Sequence, residues 1–243
     1  MINNRRDFLT VLAAGSVASF SGAAQAQMLP APTGLPAGSV APVGDHVVSY
    51  IEVAPGQQRK ALGILRNLRD ASLKDAGSKS FALFQRVNAP FHFGVLEVWA
   101  DNATREAHAA QPHVKLAREQ LSAIETAPYD ERPHRPLAVG SASQPGADAI
   151  TCITHVDFVP VYREEGERML KMLADQSRVE KGAARYDVLT QASRPNHMTL
   201  VEVWNSQDAW RKHLATKHLK DFRLSLLPRT GSLYDERIYR AVS

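Results

Sequence analysis

The chain contains two copies of one sequence. Residues 45–138 align with residues 150–243 at a constant offset of 105 positions, without a gap and with 22 identities in 94 positions. The segment Tyr-Asp-Glu-Arg, for example, stands at 129–132 and again at 234–237. A register held over this length indicates a tandem duplication, so each copy must contain a complete set of structural elements. This constraint divides most of the 243 residues into two units of one fold.

Both copies predict the same order of strands and helices. In the first copy the residue patterns predict strands over 46–53, 81–87 and 94–100 and a helix over 57–74. A second helix is predicted from Asp101 to about residue 121, and a fourth strand contains Tyr-Asp-Glu-Arg. The order β-α-β-β-α-β is the ferredoxin-like motif, whose helices cover one sheet face and leave the other without a partner. We therefore predict an α+β fold in which two ferredoxin-like repeats form an intrachain dimeric α+β barrel.

The segment before the repeats is typical of an export signal. Residues 1–26 combine Arg5 and Arg6, a short apolar run and a cleavage-site motif of small residues that ends at Ala26. The Arg-Arg-x-Phe-Leu core resembles a twin-arginine signal, and the apolar run is too short to span a membrane. We predict cleavage near Ala26 and a periplasmic location.

The predicted domain organisation follows from these boundaries. The export signal (1–26) precedes a Pro- and Gly-rich flexible linker (27–44), the first domain (45–138), a second linker (139–149) and the second domain (150–243).

Composition excludes several classes of protein. A hydrophobic fraction of 44% argues against a disordered chain. The one cysteine, Cys152, cannot form an intrachain disulfide or a cysteine-based zinc cluster, and we expect it in the core. The net charge of +4 is too small to indicate nucleic-acid binding. The sequence contains no Gly-x-Gly-x-x-Gly motif of the kind that binds dinucleotides.

A His-x4-His pair lies in the predicted second helix of each copy. The pairs are His108 with His113, and His213 with His218. On a regular helix this spacing separates two rings by about 140°, so one pair alone cannot bind one metal ion. Pro112 would permit a kink in the first copy only, and a kink would bring both rings to one pocket. We assign the four histidines as candidate catalytic residues that hydrogen-bond a substrate or accept its proton. The alternative is that His108 and His213 anchor the helix to glutamates of strand three.

A second set of residues is assigned to substrate binding. Glu97 and Trp99 share one face of the third strand, and a buried glutamate needs a partner such as a helix-two histidine or a strand-four arginine. The tryptophans could form an aromatic wall for a flat ring or belong to the core. The six candidate substrate-binding residues are Trp99, Trp204, Tyr50, His155, Glu97 and Glu202.

These motifs resemble one known family. The run Glu97-Val98-Trp99, followed by His108-x4-His113 and repeated in the second copy, is similar to the antibiotic biosynthesis monooxygenase (ABM) family, which includes quinol monooxygenases. The resemblance covers both repeats. It implies a dimeric α+β barrel, normally built from two chains, and an oxidation of quinols or polycyclic phenols without a cofactor. Other members of the family degrade haem.

The resemblance also implies a mechanism. An electron-rich phenolate reduces O2 itself, while the protein supplies a base, an apolar cavity and a donor for developing negative charge. We therefore expect an oxidoreductase with a small aromatic substrate, O2 and no cofactor, and no nucleic-acid partner or transmembrane segment. A homodimer of the whole chain stays open, and haem is the alternative cofactor.

The main alternative function is a non-catalytic periplasmic barrel that binds a small molecule or haem. The two copies also differ, because Thr104-Arg105 corresponds to Ala209-Trp210, so one copy could keep an active pocket that the other has lost. The sequence does not say which.

Overall fold

A computed structural model describes residues 44–242 of the chain. The predicted export signal and the first linker, up to residue 43, lie outside the described residues. The first copy contains β1 (Asp45–Glu52), α1 (Gln58–Ser72), β2 (Ser78–Arg86), β3 (His92–Trp99), α2 (Asn102–Ala109), α3 (Pro112–Ser122) and β4 (Asp130–Ala138). The second contains β5 (Ile150–Asp157), α4 (Arg163–Arg178), β6 (Ala183–Gln191), β7 (His197–Trp204), α5 (Gln207–Ala215), α6 (Lys217–Leu226) and β8 (Asp235–Ala241). Within residues 44–242, no helix is both long and apolar enough to cross a membrane.

The eight strands form one closed antiparallel barrel. Their order is β1-β3-β2-β8-β5-β7-β6-β4, so each copy contributes four consecutive strands. Closure depends on two pairings between the copies, β2 with β8 and β4 with β6. These pairings remove the exposed strand edges of both sheets. The predicted intrachain α+β barrel is confirmed.

Side chains alternate between the two faces of each strand and so form three separate hydrophobic cores. Side chains on one face pack under the helices, giving one core in each copy, and the other face fills the barrel. In β3, for example, Val95 packs under the helices while Leu96 packs inside the barrel. Glu97 and Trp99 share the parity of Val95 and therefore lie on the helix side of the sheet.

A glycine with positive φ follows the first helix at the equivalent position of each copy. Ala61, Leu65 and Leu68 recur at helical spacing and bury one stripe of α1 against the sheet. Gly77 then adopts φ +81° and Gly182 adopts φ +95°, a backbone conformation that favours glycine. The glycines turn the chain into β2 and β6 and leave the acidic residue two positions earlier beside the second helix.

The prediction of one continuous second helix is wrong in both copies. It is broken at Gln111 and at Thr216, whose ψ angles of 146° and 151° are extended rather than helical. Pro112 explains the break in the first copy, because the residue before a proline avoids the helical region. The second copy has a lysine instead, and there the Thr216 hydroxyl donates to the His213 carbonyl oxygen at 2.7 Å. The expectation that proline restricts the kink to the first copy is therefore also wrong.

The barrel interior contains a hydrogen-bonded chain of polar side chains. Tyr50 and His155 occupy equivalent positions of the two copies and meet through Tyr50 Oη and His155 Nε2 at 2.6 Å. His155 Nδ1 lies 3.1 Å from Thr199 Oγ1, which lies 2.9 Å from His134 Nε2. Burial lowers the pKa of His155 to about 3 and that of His134 to about 4. Both imidazoles are therefore neutral at ordinary pH.

We expect this interior to make the protein sensitive to acid. A histidine whose pKa falls from 6.5 to about 4 on folding binds fewer protons in the folded than in the unfolded state. Its stabilisation is complete above pH 6.5 and is lost as the pH falls towards 4. Replacing His134→Gln removes this titration, so the free energy of unfolding should depend less on pH in this range, by on the order of 1–3 kcal/mol. Urea unfolding at several pH values measures the change; an unaltered slope would contradict the assignment.

Candidate functional site

A cavity of about 320 Å³ lies between the sheet and helices α2 and α3 of the first copy. Val47, Leu68 and Val114 give it an apolar wall. Its polar side chains are Glu97, Arg105, His108, Lys115, Arg118, Tyr129 and Glu131. It therefore combines an apolar surface with a few convergent polar groups, as small-molecule sites commonly do.

Glu97 supplies a buried carboxyl group to this cavity. It projects from β3 and is 6% exposed, and its Oε2 accepts a hydrogen bond of 2.9 Å from the Trp99 indole nitrogen. Burial raises the pKa of Glu97 to about 7, although the indole hydrogen bond opposes this shift. Near neutral pH the group can therefore exchange a proton.

His108 lies between Glu97 and a second carboxylate. Its ring stacks on the Trp99 ring with 4.4 Å between centroids. Its Nδ1 lies 2.7 Å from Asp75 Oδ2, and its Nε2 faces Glu97 Oε2 at 3.7 Å. Burial lowers the pKa of His108, against the opposing effect of Asp75. The predicted anchoring contact to Glu97 is thus longer than a hydrogen bond, and the close partner is Asp75, just after α1.

His113 does not line the cavity. The break in the second helix directs its Nε2 to Asp75, 3.1 Å from the same Oδ2 that His108 approaches. Trp99 is also set back from the cavity, because it is completely buried behind His108. Of the candidates in the first copy, the cavity thus brings together His108 and Glu97.

The remaining polar lining comes from α2, α3 and the strand that contains Tyr-Asp-Glu-Arg. The Arg118 guanidinium lies 3.1 Å from the centroid of the Tyr129 ring and forms an ion pair with Glu131. Arg105 Nε lies 3.4 Å from Asp45 Oδ2. Burial raises the pKa of Tyr129, so its hydroxyl stays protonated and can donate a hydrogen bond. The cavity therefore places two guanidinium groups and one phenol donor near the Glu97 carboxyl group.

The second copy repeats the polar groups but fills the equivalent space. His213 stacks on Trp204 at 4.4 Å, Glu202 accepts from Trp204 at 3.0 Å, and burial raises the pKa of Glu202 to about 8. Trp210 and Leu214, however, stand where the first copy has Arg105 and Ala109, and both pack against the core of the second copy. The larger apolar side chains occupy the room that the first copy leaves open.

The structure places three other candidates away from this cavity. Tyr50 and His155 lie in the barrel, and His155 contributes to a wider opening of about 560 Å³ at one end of it. That opening is mainly polar and has three arginines in its lining. Arg132 and Arg237 are paired with aspartates of the same strands, and Arg194 follows β6. His218 lies at a groove between α4 and α6 and contacts Glu180 Oε1 at 2.8 Å.

Sequence reasoning did not select Arg105, Arg118 and Tyr129 for the site. The signal for Tyr129 is its exact repetition as Tyr234 within the repeated Tyr-Asp-Glu-Arg segment. In the same segment Asp130 and Arg132 form an ion pair along the strand. The signal for Arg105 was its replacement by tryptophan in the other copy.

The fold and cavity define a class of protein: a single-chain α+β barrel of two ferredoxin-like repeats, with a small-molecule cavity under the helices of one repeat. The chain belongs to the antibiotic biosynthesis monooxygenase family, whose model matches residues 46–120 and again residues 149–224.

Known proteins similar to this chain agree with that membership. The Bacillus subtilis (strain 168) protein named "Putative monooxygenase YcnE" is 29% identical over 68 residues, which cover 28% of this chain and 72% of that protein. A crystal structure from Fusobacterium nucleatum, also named "Putative monooxygenase", superimposes with a TM-score of 0.74 at 13% identity, over 83% of this chain and 93% of that one. The structure of an anthrone oxidase-like protein gives 0.69 at 15% identity, over 83% and 92%. At these identities the two structures show the fold alone.

We expect Glu202 to give the stability a second pH dependence, of opposite sign to that of His134. A carboxyl group whose pKa rises from 4.5 to about 8 on folding binds more protons in the folded state. Its stabilisation is complete below pH 4.5 and is lost as the pH rises through 8. Glu202→Gln keeps an acceptor for the Trp204 indole, so unfolding should become less dependent on pH between 5 and 8, by on the order of 1–3 kcal/mol. Urea unfolding measures this; a variant with the wild-type slope would refute it.

Proposed function

We propose that this protein is an exported, cofactor-independent monooxygenase that oxidises a quinol or another phenolic aromatic with O2 in the cavity of the first copy. The observation that carries the proposal is the juxtaposition of Glu97, His108 and two guanidinium groups in one apolar-walled cavity. Membership of a monooxygenase family supports the reaction class.

The first step is deprotonation of the bound phenol. The hydroxyl group lies against Glu97, which accepts the proton. The Trp99 indole donates to this carboxyl group and holds it in place, and His108 Nε2 faces it at 3.7 Å. Arg105 and Arg118 stabilise the resulting phenolate and the reduced oxygen species that follow. In this proposal His113 acts only through Asp75, while His213 and His218 belong to the packed copy.

The second step transfers electrons from the substrate to O2. For a quinol, one ring C–H bond becomes a C–O bond and the two hydroxyl groups become quinone carbonyls. The substrate supplies four electrons. One oxygen atom becomes bonded to a ring carbon, and the other leaves as water with two protons. Because the substrate is the reductant, the protein needs to position it and keep water from the intermediates.

The size of the cavity favours a small aromatic substrate. A volume of about 320 Å³ is near the lower end of the range of ligand sites, which runs from about 300 to 1,000 Å³. A phenol of one or two rings suits this volume better than a haem macrocycle does.

The test is oxygen uptake with hydroquinones, measured with an oxygen electrode against enzyme-free autoxidation. We expect Glu97→Gln to lower kcat by about 10²-fold or more, since a positioned base contributes on that order. Glu202→Gln is the matched control, because it removes the same carboxyl group from the packed copy and should keep activity within about 2-fold. Equal losses in both variants would show that activity is not confined to the first copy. Uptake no faster than autoxidation would favour a non-catalytic binding protein.

A second variant tests the cavity without touching the proposed base. Arg105→Trp introduces the side chain that the second copy already accommodates at this position, so the fold should persist while the cavity closes and activity is lost. Arg211→Trp changes an exposed arginine to the same residue and serves as the control.

We also propose that the protein works in the periplasm, after export by a twin-arginine signal. Replacing Arg5 and Arg6 by lysines should leave an uncleaved protein in the cytoplasm, as cell fractionation and immunoblotting would show. Asn3→Gln with Asn4→Gln controls for general changes near the start of the chain. Export of the double-lysine variant at the wild-type level would contradict the twin-arginine route.

A further inference from the structure

Each copy contains a cluster of one carboxylate and two imidazoles behind the helix-two histidine. We call these the carboxylate–histidine clusters: Asp75, His108 and His113 in the first copy, and Glu180, His213 and His218 in the second. One donor atom from each residue lies within 4.8 Å of the others. The cavity under α2 and α3 is on the Nε2 side of His108, whereas the cluster is on its Nδ1 side.

The sequence builds the clusters in the same way twice. The acidic residue follows the first helix, two positions before the glycine with positive φ, and the two histidines flank the break in the second helix. Because of the break, the two rings are not held about 140° apart, as they would be on a regular helix with a His-x4-His pair. As a result, the His108 and His113 ring centroids lie 5.6 Å apart, and those of His213 and His218 lie 6.0 Å apart.

Hydrogen bonding does not account for all the donor atoms of the first cluster. Asp75 Oδ2 lies 2.7 Å from His108 Nδ1 and 3.1 Å from His113 Nε2. The His113 nitrogen is nevertheless buried without a hydrogen-bond partner. Two nitrogens and one oxygen that converge without complete hydrogen bonding are arranged like ligands around a common centre.

The distances and the surroundings are those of a metal site. Ligand atoms around a four-coordinate zinc ion stand roughly 3 to 3.5 Å apart, since each lies about 2.0–2.1 Å from the metal. Small movements would bring the cluster to that spacing. The second nitrogen of the buried histidine faces a glutamate in both copies, at 3.7 Å to Glu97 and 3.6 Å to Glu202. A small movement that shortens this contact to a hydrogen bond would give the carboxylate–histidine–metal arrangement common around bound ions.

We propose that each carboxylate–histidine cluster binds one divalent first-row transition ion of the zinc type. Two imidazoles and one carboxylate suit such an ion and leave a coordination position for water. The side chains of Asp75 and His113 are 19% and 26% exposed, so solvent reaches the site. The ion joins the end of the first helix to both halves of the second. Because the cluster is present in the packed copy as well, this inference does not depend on the proposed oxygenase activity.

The test is metal binding to the tag-free protein after treatment with a chelator. Titration with Zn²⁺ in a calorimeter should give two sites per chain, and Co²⁺ should produce the visible absorption of a site with nitrogen and oxygen ligands. His113→Ala and His218→Ala should each leave one site, and the double variant should leave none. Zn²⁺ should raise the melting temperature of the wild type but not that of the double variant.

Two further variants serve as controls. Asp75→Asn keeps the size of the side chain but removes its charge, and should abolish the first site even if His113→Ala perturbs folding. His92→Ala with His197→Ala removes two histidines that each contact a single carboxylate elsewhere, and should leave both sites intact. No saturable binding by the wild type, or binding that the cluster variants do not change, would overturn the proposal.

Discussion

Closure of the barrel between the two copies is the constraint on which the rest of the structure depends. A four-stranded ferredoxin-like sheet has one face under its helices and another that must be covered. Pairing of β4 with β6 and of β8 with β2 covers that face and leaves neither sheet with a free edge. It also brings equivalent positions together, as the hydrogen bond between Tyr50 and His155 shows. The linker between the repeats keeps both halves of the barrel in one chain.

Covalent linkage permits the two helix-side layers to differ. Two identical chains would carry the same cavity twice, but the duplicated copies can change independently while the barrel interior stays intact. Arg105 and Ala109 leave room under α2 and α3, whereas Trp210 and Leu214 fill it. The packed copy gains apolar contacts, and its four strands complete the barrel. Retention of Glu202, Trp204 and His213 there follows from their mutual contacts, because a buried glutamate without its indole donor would be costly.

The sequence predicted the fold almost completely, because the repeat tests every periodic pattern twice. Its failure at the second helix has a local cause: Thr216 ends a helix through its own hydroxyl, and no proline marks the place. The site was only partly predictable. Spacing on a regular helix separated His108 from His113, and the break reunites them around Asp75, which lies 33 residues earlier than His108. The alternation of side chains along a strand correctly predicted that Glu97 and Trp99 share one face. Whether a cavity lies on that face depended on the size of the side chain at position 105, which the alternation does not reveal.

The break in the second helix thus determines the chemistry on both sides of His108. Without it, the ring of His113 would point away and Asp75 would have one imidazole neighbour. With it, Asp75 draws two imidazoles together and holds His108 so that its second nitrogen faces Glu97 and the cavity. A metal ion bound at Nδ1 of His108 leaves the proton of the neutral imidazole on Nε2. This proton would strengthen the contact with the Glu97 carboxylate. The imidazole therefore links the two sites physically, so occupation of the cluster would change the basicity of Glu97 without altering the lining of the cavity.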